Sequence, residues 1–142
     1  MGARRKARVM AVQILYQVDL TQDSLQSSMA ALWGDAGIAP DVRAFATKLA
    51  QGVREHLEEI DALLLSTSEH WRIERMALVD RNILRLAAYE LVFCPDIPER
   101  VTINEAIELG KRFSTGESGA FINGVLDQIR LLHGPKTAPE PL

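Results

Sequence analysis

The spacing of apolar residues constrains this chain most, because it is the spacing of α-helices almost from end to end. Apolar side chains recur every three to four residues, and no segment alternates as a half-buried strand does. A first helix is predicted over about residues 4–20. Its apolar stripe is Ala7, Ala11, Ile14, Leu15 and Val18. The sequence therefore predicts an all-α fold.

Six further helices are predicted, separated by glycine, proline and polar breaks. The second to fifth helices are placed at 24–33, from the capping residue Asp41 to about 64, near 73–76, and at about 79–93. The sixth begins at the capping-box sequence 102–105 and ends at about 113. The seventh runs from Glu117 or Ser118 to about 132. The helix at 79–93 has the widest apolar face and is predicted to be the most buried. The breaks at 66–70 and 94–101 predict two sub-bundles within one domain, residues 1–134. Residues 135–142 are predicted to be a disordered tail.

The length and the cysteine count indicate a single domain in a reducing compartment. At 142 residues the chain can bury a core without disulfides, and its single Cys94 cannot form one internally. No apolar run approaches the roughly 18 residues of a membrane-spanning helix. The basic N-terminus leads into an amphipathic helix rather than the apolar stretch of a signal peptide. These features predict a cytoplasmic protein without a membrane contact.

Catalytic motifs are not recognisable in the sequence. His56, His70 and His133 do not have the spacing of metal ligands, and one cysteine cannot complete a zinc site. No glycine-rich phosphate loop and no Ser/His/Asp set stands out. The prediction is a protein that is not an enzyme and has no metal and no cofactor.

Positive charge is concentrated at the N-terminus. Arg4, Arg5, Lys6 and Arg8 are four of the 16 basic residues, which leaves 12 against 19 acidic residues in the rest of the chain. At the start of a helix these cations oppose the macrodipole, where a purely structural helix would prefer acids. They could neutralise RNA phosphates or form a solubilising extension, and the residues alone leave both interpretations open.

A second candidate site lies where the sixth helix ends and the seventh begins. Lys111 and Arg112 are well explained by the dipole at a helix C-terminus. The free amides at the next helix start, near Glu117 and Ser118, could nevertheless bind an anion. Phe121, one turn further on, could stack on an unpaired base or belong to the core stripe.

Three more residues have two interpretations each. Tyr16 could reach RNA or a partner with its hydroxyl, or be an ordinary boundary tyrosine. Asp80 and Arg81 could cap the fifth helix or form a protein interface. The sequence alone does not decide between them.

A set of short motifs occurs in a fixed order along the chain. They are RRKAR, AVQILY, VDRNILRLAAYEL, IP, INEAIEL, KRF and FINGVLD. Their order over about residues 4–130 resembles that of the NusB family of bacterial transcription antitermination factors. Gly110 departs from that family, which usually has alanine there, and predicts a loss of about 1 kcal/mol of helix propensity.

The resemblance implies two three-helix sub-bundles and a partner, the ribosomal protein NusE. It implies that the two proteins together bind boxA-type RNA in ribosomal RNA transcripts and help the antitermination complex of RNA polymerase pass terminators. Because some relatives dimerise through their RNA surface, it also implies a homodimer as one state of the free protein. The implied RNA-binding residues are Arg4, Arg5, Lys6, Arg8, Lys111, Arg112, Glu117, Ser118 and Phe121. The implied NusE surface includes Asp80 at the start of the fifth helix.

Two alternatives remain beside an RNA-binding antitermination factor. A similar helical domain precedes the catalytic domain of certain ribosomal RNA methyltransferases, but residues 130–142 leave no room for a methyl-donor-binding domain. The protein could instead be an adaptor that binds only other proteins, with the basic segment as a tail.

Overall fold

The computed structural model describes residues 2–34, 37–67, 76–114 and 117–133. All of the regular elements in these ranges are helices, which confirms the predicted all-α class. They are α1 (Ala3–Thr21), α2 (Leu25–Trp33), α3 (Pro40–Glu55), α4 (Leu57–Thr67), α5 (Leu78–Phe93), α6 (Glu99–Phe113) and α7 (Ser118–His133).

Helix α5 is the centre of the fold, as its wide apolar face predicts. Ten consecutive residues, 82–91, are buried. Helix α1 packs against α2 and α3, while α6 packs against α7, and α5 contacts both groups. Helix α4 lies across α5 and α7. One core cluster draws side chains from all seven helices, so the two sub-bundles form a single structural unit.

Helices α1, α2, α5 and α7 lie where the apolar periodicity predicts them. Ser24 caps α2, because its Oγ accepts a hydrogen bond from the backbone N–H of Ser27 at 3.0 Å. The cap predicted for the third helix is wrong. Ala39 is the N-cap of α3 and Pro40 its first residue, so Asp41 lies in the first turn, where its charge still complements the dipole.

The single long helix predicted from residue 41 to about 64 is divided into α3 and α4 at His56. The apolar positions from 45 to 57 recur every four residues, and each such step rotates the stripe by about 40° around a straight helix. The break returns the stripe of α4 to the core, where Ile60 and Leu64 are fully buried. The His56 ring stacks on Phe93 with centroids 4.0 Å apart.

The start predicted for the sixth helix is also wrong. Helix α6 begins at Glu99, directly after Pro98, so the proposed capping box lies inside the helix. Its two side chains form tertiary bonds instead. The Thr102 hydroxyl donates to Glu90 at 2.8 Å, and Glu105 accepts from Arg5 at 2.9 Å.

The helical piece predicted near 73–76 and the tail predicted at 135–142 lie outside the described residues, apart from Met76. In the part of the chain that the structure does describe, no helix combines the length and the apolarity that crossing a membrane requires.

Candidate nucleic-acid interface

The first two turns of α1 carry the N-terminal cations without any local compensation. Gly2 is the N-cap and provides no side-chain hydrogen bond, and the first turn contains no acidic residue. Carboxylates from other helices pair with Arg5 and Arg8, and the ring of Phe45 in α3 contacts Arg4. Lys6 is exposed, and no described carboxylate lies within ion-pair distance of its ammonium group.

Arg8 is buried in an ion pair with Glu90 of α5. The Arg8 Nε and Nη2 atoms donate to the two carboxylate oxygens, each at 2.9 Å, and the side chains are 4% and 1% exposed. Thr102 of α6 donates to the same carboxylate. This arrangement satisfies a charge that would be costly to bury alone, and it joins α1, α5 and α6. The Arg8 guanidinium therefore points into the protein and does not offer its donors to a phosphate on the surface.

Arg5 forms a similar pair at the surface, with Glu105 of α6. Its Nε donates to Oε2 at 2.9 Å and its Nη2 to Oε1 at 3.3 Å. The Arg5 side chain is 45% exposed and that of Glu105 is 18% exposed. The hydrogen bond and the charge of Glu105 raise the pKa of Arg5 above its ordinary value.

Arg4 lies over the ring of Phe45 in α3, with its guanidinium carbon 3.9 Å from the ring centroid. The guanidinium carbon of Arg8 lies 5.5 Å from the same centroid. Phe45 in turn packs against the small cluster of Ala7, Val42 and Ala46. This cation–π contact holds Arg4 in place at the exposed start of α1.

Helix α6 connects the two basic patches predicted from the sequence. Glu108 lies one turn after Glu105 and pairs with Lys111 across 3.6 Å. Because Glu105 pairs with Arg5, two neighbouring carboxylates on one face of α6 each hold a cation of one patch. We call the resulting region the cationic surface. It comprises Arg5 and Lys111, which are joined through α6, and their neighbours in the chain Arg4, Lys6 and Arg112.

The start of α7 is bonded to the start of α5. Ser118 is buried, shares a hydrogen bond with the Ser114 hydroxyl at 2.8 Å, and donates to Asp80 Oδ2 at 3.3 Å. The family resemblance implies that Asp80 faces a partner and that Ser118 faces RNA. In the structure the two side chains also help to fix the junction of α5 and α7. Glu117 is exposed, and Phe121 is partly buried against the core.

A cavity of about 740 Å³ opens beside this junction. It is lined by Tyr16 of α1, by Val79 in the first turn of α5 and by Phe113 at the end of α6, together with residues of α2. Phe113 is exposed, and the guanidinium carbon of Arg112 lies 5.1 Å from the centroid of its ring. Arg81, in the next turn of α5, is partly buried.

Sequence reasoning missed four residues of this region: Phe45, Glu90, Glu105 and Phe113. Glu90 gave a signal, because it is a carboxylate inside the long buried stretch of α5 and so needs a cationic partner. The others gave none, because exposed acids and boundary aromatics are common on helices. Across the described ranges, no group of three or more His, Cys, Asp or Glu residues is placed to hold a metal ion.

These features define a class of protein: an all-helical domain of two sub-bundles around a central buried helix, with cations collected at one end of its first helix. The chain belongs to the NusB family, whose model matches residues 5–130.

Individual relatives cover nearly the whole chain. A protein of Desulfatibacillum aliphaticivorans named transcription antitermination protein NusB is 46% identical over 140 residues, which is 99% of this chain and 98% of that one. The solved structure of T. maritima NusB has a TM-score of 0.87 at 40% identity and covers 94% of both chains. A structure of the antitermination factors NusB and NusE in complex with dsRNA has a TM-score of 0.78 at 30% identity, covering 91% of this chain and 96% of that one.

Proposed function

We propose that this protein is a non-catalytic transcription antitermination factor of the cytoplasm. Together with NusE it binds boxA-type RNA of ribosomal RNA transcripts and promotes read-through by RNA polymerase. Two features of its relatives support this function. They carry the name transcription antitermination protein, and one solved relative is bound to NusE and dsRNA.

The observation that carries the proposal is the joining of both basic patches on the cationic surface. The N-terminal cations and Lys111 are far apart in sequence, yet Arg5 pairs with Glu105 and Lys111 pairs with Glu108, one helical turn further along α6. An RNA strand along this surface would meet Lys6, Arg5 and Lys111 in one path. Because phosphate contacts fix the position of an RNA and base contacts select its sequence, these cations supply affinity, and unpaired bases stack on Phe113 or Phe121.

Arg8 has a different role in this proposal. Its pair with Glu90 fixes the first turns of α1 against α5, so Arg8 positions the neighbouring cations without touching RNA itself. Arg5 and Lys6 then lie on a firmly held helix rather than on a flexible tail. We place NusE at the start of α5, near Asp80 and Arg81, on the strength of the family resemblance.

The proposal is tested by measuring the affinity for a single-stranded boxA RNA oligonucleotide, with and without NusE, at several salt concentrations. We expect NusE to increase the affinity, because the few cations of this protein alone neutralise few phosphates. Replacing Arg4, Arg5 and Lys6 together by alanine should weaken binding. It should also reduce the slope of log K against log salt concentration by about 0.7 for each phosphate that is no longer neutralised.

A matched control removes three exposed cations elsewhere, by replacing Lys48, Arg54 and Arg100 with alanine. It changes the net charge equally and should leave most of the RNA affinity. Unaltered RNA binding by the N-terminal triple variant, with NusE binding retained, would instead support the adaptor function. Equal affinity with and without NusE would contradict the joint binding.

A further inference from the structure

Glu105 holds the guanidinium of Arg5 in the way that an RNA phosphate would hold it. We infer that Glu105 is an internal competitor of RNA for Arg5, and that it sets the affinity of the cationic surface. This inference rests on the proposed RNA binding and adds to it a residue of opposite charge. RNA must displace the carboxylate before a phosphate can take the two-point arrangement with Arg5 Nε and Nη2.

The geometry makes Glu105 a close substitute for a phosphate. Two guanidinium nitrogens of Arg5, Nε and Nη2, each face one carboxylate oxygen, at 2.9 and 3.3 Å. The planar fork of arginine accepts a carboxylate or a phosphate in the same two-point arrangement. While the pair is intact, these donors of Arg5 are occupied, and a phosphate can bind them only in place of Glu105.

The exposure of the pair allows this exchange. Arg5 is 45% exposed, so a phosphate can approach it from solvent, and exposed ion pairs are weakly held. The pair of Arg8 and Glu90 is the internal comparison. Its side chains are 4% and 1% exposed, and separating them would leave a buried charge unpaired. Arg5 can therefore change partner on RNA binding, whereas Arg8 cannot.

The exchange also leaves a negative charge next to the bound RNA. Once Arg5 turns to a phosphate, Glu105 is unpaired and lies one helical turn from Glu108, which already faces Lys111. Both carboxylates then repel the RNA backbone. Glu105 thus lowers the affinity of every RNA that contacts Arg5 by a similar factor. This repulsion leaves little binding free energy to an RNA that makes only backbone contacts. An RNA that also binds through its bases retains enough binding free energy to stay bound.

The first experiment measures the affinity of Glu105→Gln for the single-stranded boxA RNA and for an unrelated RNA of equal length. Glutamine keeps the size of the side chain and removes its charge. We expect boxA binding to become about two- to five-fold tighter, the range given by removal of one exposed ion pair, and the unrelated RNA to gain by a similar factor. Glu58→Gln on α4 removes an exposed carboxylate outside the cationic surface and should leave the affinity nearly unchanged.

The double variant Arg5→Ala with Glu105→Gln separates competition from general repulsion. If Glu105 acts by occupying Arg5, its replacement should have less than half the effect on log K when Arg5 is absent. An undiminished gain in the Arg5→Ala background would overturn the inference, because the carboxylate would then act on RNA directly.

A spectroscopic measurement tests the exchange in the unaltered protein. In ¹⁵N-labelled protein, the Nε–H resonance of Arg5 should shift on addition of boxA RNA, while that of Arg8 should keep its position. Unchanged affinity in Glu105→Gln, with weaker binding in Arg5→Ala, would refute the role of Glu105 and leave the proposed function intact. Full RNA affinity in Arg5→Ala and in the N-terminal triple variant would refute both.

Discussion

The ring of Tyr89 fills the space in which a side chain of residue 52 would begin. A Cβ atom built on Gly52 would lie 2.1 Å from Tyr89 Cζ and 2.3 Å from its hydroxyl oxygen. Gly52 is in α3 and Tyr89 is in α5, and both are buried. Because Gly52 has no side chain, α3 and α5 can approach each other closely here, and the ring of Tyr89 packs against the backbone of α3.

Replacing Gly52 by alanine should destabilise the protein by about 1–3 kcal/mol, because the buried ring must move to admit a methyl group. Urea unfolding measures the change. Gly124→Ala is the matched control, since an added Cβ at this helical glycine meets no atom within 4 Å. That variant should gain up to about 1 kcal/mol from helix propensity. Similar effects of the two substitutions would contradict this account of the α3–α5 contact.

Tyr89 also predicts a loss of stability at high pH. Burial is the main cause that raises the pKa of its hydroxyl to about 12, from an ordinary value of 10.0. Below pH 10 the hydroxyl is protonated in the folded and the unfolded chain, so the stability is complete. Between about pH 10 and 12 the unfolded chain releases this proton and the folded one retains it, so the free energy of unfolding falls.

The expected loss between pH 10 and pH 12 is on the order of 2 kcal/mol. It is measured as the difference between the wild type and Tyr89→Phe in urea unfolding at each pH, which cancels the titration of the lysines. Tyr16→Phe is the control, because it removes the other of the two tyrosines and keeps Tyr89. A Tyr89→Phe curve parallel to the wild-type curve would show that Tyr89 does not contribute this dependence.

The buried pair of Arg8 and Glu90 should matter more for stability than any exposed pair. Arg8→Ala leaves the Glu90 carboxylate buried without its cation, and we expect a loss of about 3–5 kcal/mol. The double variant Arg8→Met with Glu90→Leu should recover part of this loss, because it removes both charges. Arg5→Ala breaks the exposed pair and should leave the unfolding midpoint almost unchanged.

For RNA binding the order of the two arginines is reversed, because we expect Arg5 to contact RNA and Arg8 not to. At a temperature where Arg8→Ala is folded, the salt dependence of its RNA affinity should have the wild-type slope, since Arg8 makes no phosphate contact. Arg5→Ala should lower that slope by about 0.7. A lower slope in Arg8→Ala would mean that this guanidinium reaches RNA after all.

The sequence was sufficient to place most helices and to identify the basic segment, because both are local properties. It could not show which cations are paired. The partners of Arg8 and Arg5 are 82 and 100 residues away along the chain, and only the packing of α1 on α5 and α6 brings them together. The same packing determines the use of Thr102, which resembles a capping residue in the sequence and bonds to Glu90 in the structure.

Gly110 shows a second limit of local reasoning. Helix propensity counts a glycine inside α6 only as a loss. In the structure, a Cβ at this position would lie 2.6 Å from Ile122 Cδ1, so the glycine permits close packing of α6 on α7. Whether a glycine weakens a helix or allows a contact depends on the neighbouring helix, which the local sequence does not reveal.

The stacking of Arg4 on Phe45 should contribute to RNA affinity by holding the guanidinium in place. Phe45→Leu keeps most of the apolar contact with the cluster of Ala7, Val42 and Ala46 but removes the ring face under Arg4. Exposed cation–π contacts are worth about 0.5–1 kcal/mol, so we expect RNA binding to weaken about two- to five-fold. In the Arg4→Ala background the same substitution should have almost no further effect, because no guanidinium remains to be held.

The matched control for this prediction is Arg43→Ala. The guanidinium carbon of Arg43 lies 5.1 Å from the ring centroid of Trp33, a longer cation–π pair outside the cationic surface. Its removal should leave RNA affinity nearly unchanged. The position of Arg4 is followed through its Nε–H resonance, which the Phe45 ring current shifts and which Phe45→Leu should return toward the value of a free arginine. If that resonance moves while the RNA affinity stays the same, the ring orders Arg4 in the free protein without contributing to RNA binding. RNA would then bind a mobile guanidinium as tightly as an ordered one, which contradicts the prediction.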